Sequence, residues 1–458
     1  MKQLYRIVSG VALSSLLLFS CQPTNEEVTP SNSQKTPKDY TAEVVLKWGD
    51  VYLEMSRYAP GYRPPVSARA MGYIGLAGYE AMVGGSKEFQ SVAGYYAGLT
   101  IPKPEAGVAY QWEVAENAAL LVMFKGMYPH VSDALKAKID NTGKEQFDLL
   151  QATTDAAIFE RSKKYGEAVA NAVYDWSKTD TWGHDAFLRN QPTDYTPIVG
   201  VGNWQPTYPD YSKALLPYWG NVRTFVATAD DKIARPPLAF NTSTTSPFYA
   251  QGLEVYAMTT QKTYETQWIG EFWSDDIYQL TFEPAARWVA VANQVITKEK
   301  VSLDKAIYTY VKIGMGLSDA GVACWNSKYI YNVMRPIDFI RKAIDPSWKT
   351  ILNNPIAKVN GVTPPFPAYP SGHSTFGAVA AEVLGEIYGY NYSMTDRCHE
   401  ARTEFIGKPR TFNTFFDMAV ENAVSRVYLG VHYRMDCDEG IRMGTNIGKK
   451  VNSLKWKK

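Results

Sequence analysis

Long alanine-rich stretches with apolar residues at helical spacing, broken by Pro, Gly and Asn clusters, dominate the chain from residue 41 onward, and runs of strict alternation are few. Apolar positions recurring at i, i+3, i+4 and i+7 bury one stripe of a helix, so this pattern predicts an all-α helical bundle. The stretches are Val66 to Val83, Tyr110 to Met127, Ser132 to Leu150, Asp155 to Lys178, Leu303 to Met334, Phe376 to Tyr388 and Asn413 to Tyr428. Between Asp180 and Thr266 the density of Pro, Gly and aromatic residues (TDTWGHDAFLRNQPTDYTP, GNWQPTYPDY, LPYWGNVRTF) predicts a long ordered excursion rather than helix. His184 lies in that excursion with a structural role, and His130 and His399 have no partners at useful spacing.

The amino terminus reads as an address. Lys2 and Arg6 precede the apolar run Val11 to Phe19, which ends in Leu-Phe-Ser-Cys at Cys21. Residues 1–20 are therefore a signal peptide. The ending resembles a bacterial lipobox, although Phe19 is bulkier than the small residue usual there. That makes Cys21 the expected lipidation site and the chain a lipoprotein of the bacterial envelope, held at the outer membrane by its anchor alone. Residues 21–40 form a flexible tether rich in Pro, Ser, Thr and Asn. Residues 41–458 are expected to form a single helical domain. No later run approaches the roughly 18 apolar residues of a spanning helix.

Charge excludes one class of partner. With a net charge of +1 in 458 residues and 20% charged residues, the chain has no basic excess for nucleic acid. Cys324, Cys398 and Cys437 lack CxxC spacing and are odd in number, which excludes a zinc cluster and leaves room for one disulfide.

Three short clusters carry the chemistry, in the half from about residue 300 to 458. In CWNSKYIYNVMRP, Lys328 and Arg335 are seven residues apart, nearly two helical turns, with Trp325 one turn before Lys328. Pro336 disfavours helix at Arg335. In FPAYPSGHSTFG, Pro370 and Ser371 start a helix whose first turn holds His373, where free N–H groups favour an anion. In SRVYLGVHYRMDCDEG come Ser425, Arg426, His432 and Asp436, and Asp436 with Glu439 also makes a capping-box pattern for the last helix.

Together these read K-x6-R-P, P-S-G-H and S-R-x5-H-x3-D. The set resembles the superfamily joining vanadium-dependent haloperoxidases with type 2 phosphatidic acid phosphatases and bacterial acid phosphatases. The cations Lys328, Arg335 and Arg426, with the Ser371 hydroxyl and the Gly372 N–H, suit a tetrahedral oxyanion. The resemblance implies that His432 bonds to the central atom, vanadate as cofactor or phosphate, and that His373 is the acid–base group. It also implies that Lys328 polarises hydrogen peroxide as halide is oxidised. Asp436 would fix the His432 tautomer.

Trp325 and Phe366 fall where chloroperoxidases of the family place two aromatics beside the metal site. With GNWQPT, LPYWGNVRTF and GEFWSDD they favour a haloperoxidase, and Asp275 is expected to support the oxyanion-binding arginines. The alternative is an acid phosphatase acting on phosphate esters through a phosphohistidine. A glycan-binding lipoprotein has no use for two histidines around an anion site.

Overall fold

The computed structural model describes residues 34–275 and 277–458. The signal run, most of the tether and Cys21 lie outside them. Thirteen α-helices occur among the described residues: α1 (Glu43–Tyr58), α2 (Pro64–Val83), α3 (Trp112–Met127), α4 (Asp133–Gln151), α5 (Ala156–Lys178), α6 (Pro247–Thr260), α7 (Tyr264–Phe272), α8 (Pro284–Glu299), α9 (Leu303–Tyr331), α10 (Pro336–Ala343), α11 (Gly372–Tyr388), α12 (Phe415–Tyr428) and α13 (Arg434–Ser453). Two small antiparallel ribbons accompany them, β1 (Asn353–Asn354) with β2 (Val359–Asn360), and β3 (Met394–Asp396) with β4 (Arg410–Phe412). Helix starts follow local chemistry: Ser132, Asp155, Ser371 and Thr414 accept hydrogen bonds from the first-turn N–H groups of α4, α5, α11 and α12.

Two expectations need correction. The middle excursion is irregular from Asp180 to Ser246, but α6 and the start of α7 occupy its end, because Ser246 caps a helix that Pro247 begins. The helix from Leu303 ends at Tyr331, short of Met334, where Asn332 turns left-handed at φ 50°. Arg335 is therefore the residue before α10 rather than a continuation of the Lys328 stripe.

Residues 35–458 form one compact unit with a continuous core. At its centre α9, buried along nearly its whole length, lies against α2 and α11. The backbones approach closely enough that a Cβ on Gly314 would sit 2.6 Å from the Met71 carbonyl oxygen. A second close packing joins α11 to α13, where a Cβ on Gly444 would sit 2.3 Å from the Thr375 carbonyl oxygen. It brings the helix start at Ser371 beside the start of α13, and the Ser371 N–H donates to the Asp436 carbonyl (2.9 Å). No described helix is long and apolar enough to cross a membrane.

Glu116 on α3 is fully buried with neither carboxylate oxygen hydrogen-bonded. Burial pushes its carboxyl up to about 8. A carboxyl raised in the folded state contributes most below its unfolded value of 4.5, and that contribution is lost as pH rises through about 8. Wild type should therefore lose stability between about pH 5 and about pH 8, at up to ~1.4 kcal/mol per unit, relative to Glu116→Gln. Denaturant melts of both proteins across that range check this, and a constant difference would contradict it.

Candidate active site

Four elements converge on one buried centre. The end of α9 supplies Lys328, the turn before α10 Arg335, the start of α11 Ser371 to His373, and the stretch from the end of α12 through the loop to the first turn of α13 supplies Arg426, His432 and Asp436. All eight are buried, and the side chains of Lys328, Arg335, Ser371 and Asp436 have no exposure at all. Three cations are thus out of water around two histidines and one carboxylate, an arrangement that calls for an added anion.

The histidines are electrostatically prepared for one. Burial holds His432 well below its ordinary value, and Arg335, Lys328 and Arg426 push it the same way. His373 is lowered by burial and then by Arg426, Lys328 and Arg335. Both rings are therefore neutral at neutral pH. Arg335 Nη1, which can only donate, lies 3.2 Å from His432 Nε2, so Nε2 is an acceptor with its lone pair on that side. The proton is then on Nδ1, which donates to Asp436 Oδ2 (2.9 Å).

Asp436 is the third residue of α13, not its cap. Its Oδ2 also accepts from the Tyr433 N–H (3.0 Å), while Glu439 turns away to Arg235 and Arg442. The capping-box pairing with Glu439 is corrected accordingly. A reach back to the start of α13 and a grip on His432 are one function of this carboxylate.

Several donors and acceptors remain unmade at the centre. Arg335 Nη2 and His373 Nε2 are buried without a hydrogen-bond partner. Gly372 is the first residue of α11, where the N–H has no acceptor within the helix. The Ser371 oxygen accepts from the Ser374 N–H, which leaves its hydroxyl proton to donate. This donor set fits a tetrahedral oxyanion such as vanadate or phosphate.

Residues 308–456 match the family model described as the VCPO second helical-bundle domain. The chain is 24% identical over 491 aligned positions to the vanadium chloroperoxidase of Curvularia inaequalis, covering 87% of this chain and 80% of that protein. It is similar to the crystal structure of the first bacterial vanadium-dependent iodoperoxidase, with a TM-score of 0.79 and 29% identity over 91% of this chain and 97% of that one. Together these matches make the chain similar to the vanadium haloperoxidases over most of its length. A holo-type bacterial vanadium-dependent chloroperoxidase, at 14% identity and TM-score 0.64 over 87% and 93% of the two chains, has the same fold.

Beside the anion centre, Trp325 and Phe366 meet with ring centroids 4.9 Å apart. Lys328 Nζ lies 5.0 Å and the Arg335 guanidinium 4.8 Å from the Phe366 ring centroid, so the aromatic wall and the cations share one border. The three N–H bonds of Lys328 end on the carbonyls of Pro367, Ala368 and Pro370 (2.9, 2.9 and 2.6 Å). It holds the loop that carries Ser371, and to reach a bound oxygen it must exchange one of those carbonyls. Burial lowers its ammonium, while Asp436 opposes the shift.

Asp275 does not play the expected part. Its Oδ1 accepts from Arg287 Nη1 (3.4 Å) and lies 3.0 Å from His399 Nε2, while its backbone takes a hydrogen bond from the His373 ring. His399, without a sequence partner, thus has one. The contact from Asp275 to His399 spans 124 positions, and sequence spacing carries no signal of it. His130 Nε2 meets the Pro60 carbonyl (2.6 Å), His184 packs on Tyr174, and the three cysteines are free.

Proposed function

We propose that this chain is a vanadate-dependent haloperoxidase that oxidises halide with hydrogen peroxide. The observation that carries the reading is a neutral His432, its Nδ1 proton held by Asp436 and its Nε2 lone pair set among unmade donors beside an apolar wall. Bound vanadate supplies a Lewis-acidic centre at which peroxide becomes an oxidant for halide. His432 Nε2 would hold it, and Arg335, Arg426, Ser371 and Gly372 would neutralise its oxygens. His373 Nε2, buried without a partner, would hold or give a proton at the bound anion, and the Asp275 backbone fixes that ring. Trp325 and Phe366 exclude water where the halide arrives. Halide loses two electrons, and peroxide with a proton yields hypohalous acid and water. We also propose that Cys21 carries a lipid anchor.

Halide order follows from desolvation and redox chemistry. Iodide sheds water and electrons most easily, so it should be oxidised fastest, bromide next and chloride poorly. Steady-state assays with the three halides, on one apo preparation with vanadate or phosphate added, test both cofactor and order. Activity should appear only with vanadate and fall as phosphate rises, and Phe366→His should change the halide profile. Chloride turned over as fast as iodide would overturn the ranking. Phosphatase activity with phosphate esters and no vanadate-dependent peroxidase would favour the phosphohistidine reading, which the same neutral Nε2 could serve.

A further inference from the structure

Outside the anion centre a second, aromatic-lined cleft of 350 Å³ opens on the surface of the irregular middle segment. Trp182, Arg189, Asp194, Leu216, Tyr218 and Trp219 line it. Trp182 is 52% exposed and Tyr218 37%, with ring centroids 6.0 Å apart, a large aromatic surface left open to solvent. Trp219 is only 2% exposed, and its indole N–H, buried in the wall, has no hydrogen-bond partner. Leu216 is left-handed at φ 54°, a conformation a branched side chain rarely adopts.

The cleft and the reaction centre share a wall. Asn190, Leu215 and Pro365 line a cavity of 370 Å³ that also reaches Arg426 and Asp275. The Leu215 carbonyl accepts from the Trp325 indole N–H (3.3 Å) and the Tyr329 hydroxyl (2.7 Å), and its N–H donates to the Pro365 carbonyl (2.9 Å). One residue on, Leu216 donates to the Asn190 carbonyl (2.6 Å) and faces the cleft. A single strap of chain therefore has the aromatic wall of the halide site on one side and the open cleft on the other.

We propose that this cleft is a docking subsite for a single-ring phenol that accepts the oxidised halogen. The idea rests on the haloperoxidase reading for its chemistry, but the binding site stands on its own geometry. An aromatic ring lies on Trp182 and Tyr218. The phenol hydroxyl donates to Asp194, which raises electron density in the ring. A ring carbon beside the hydroxyl-bearing carbon gives an electron pair to the halogen of hypohalous acid. The halogen–oxygen bond breaks with its pair passing to oxygen, and the ring proton leaves with that oxygen as water.

The test uses vanadate-free protein and 4-methylphenol, followed by saturation-transfer NMR and titration, with 4-methylanisole, which cannot donate to Asp194, as the control. Wild type should bind the phenol more tightly than the anisole. Trp182→Ala should bind it about tenfold more weakly, equivalent to ~1.4 kcal/mol, and Asp194→Ala, which removes the acceptor, should abolish the preference over the anisole. In vanadate-loaded protein, Trp182→Ala should form triiodide from iodide as fast as wild type while capturing a smaller share of iodine as iodophenol. Equal binding of 4-methylphenol by wild type and both variants would overturn the proposal. Absence of triiodide formation in every protein would refute the haloperoxidase reading instead, and the NMR comparison would still decide the cleft.

Discussion

His432→Ala is expected to abolish vanadate binding, whereas His373→Ala is expected to bind vanadate and lose turnover by about 10² to 10⁴. The two rings are alike in burial and in their lowered basicity, but not in their partners. His432 has its proton pinned on Nδ1 by Asp436 and its lone pair on Nε2, the state a ligand needs. His373 is tied through its ring to the Asp275 backbone and leaves Nε2 without a partner, the state a proton carrier needs. An arriving oxyanion offsets the cations that depress His373, so its basicity recovers when the anion is in place. Equilibrium dialysis with vanadate and steady-state iodide oxidation on the same two variants separate the roles. Equal vanadate affinity in both would contradict the assignment.

The site was legible because its residues sit in short clusters whose spacing survives folding. Ser371 does start a helix, His373 does lie in its first turn, and Trp325 does meet Phe366. The long periodic segments gave helices for the same reason, since burial of one stripe is written into neighbouring positions. What failed depended on contacts that sequence spacing does not carry. Lys328 and Arg335 converge, but through the left-handed turn at Asn332 and not along one helix face. Helix α6 was hidden by its Pro- and aromatic-rich surroundings, and α1 by the charged residues of its solvent-facing side. The Asp275 assignment failed because its partner, Arg287, is itself buried in a helix that reads as ordinary apolar pattern.

Arg287 is also where the largest loss of stability is expected, about 3–5 kcal/mol for Arg287→Met. Its guanidinium is fully buried, donates through Nε and Nη2 to Asp396 Oδ2 (3.1 and 2.9 Å) and through Nη1 to Asp275 and the Phe272 carbonyl. Phe272 and Trp273 each lie 4.4 Å from it, ring centroid to guanidinium carbon. Burial pulls its basicity down, but Asp396 and Asp275 outweigh that and hold it above the ordinary value. Methionine would fill much of the volume and leave two buried carboxylates without their cation, which costs more than the pair contributed. Because Asp275 also holds His373, the loss should reach the reaction: turnover should fall while vanadate affinity, set by His432, changes little. Arg287→Lys restores charge without the planar fork and should recover part of the stability but less of the turnover. Guanidinium denaturation and iodide oxidation measure the two effects. A destabilisation of Arg287→Met below about 1 kcal/mol would place this pair among ordinary surface contacts and remove Asp275 as the link between the core and His373.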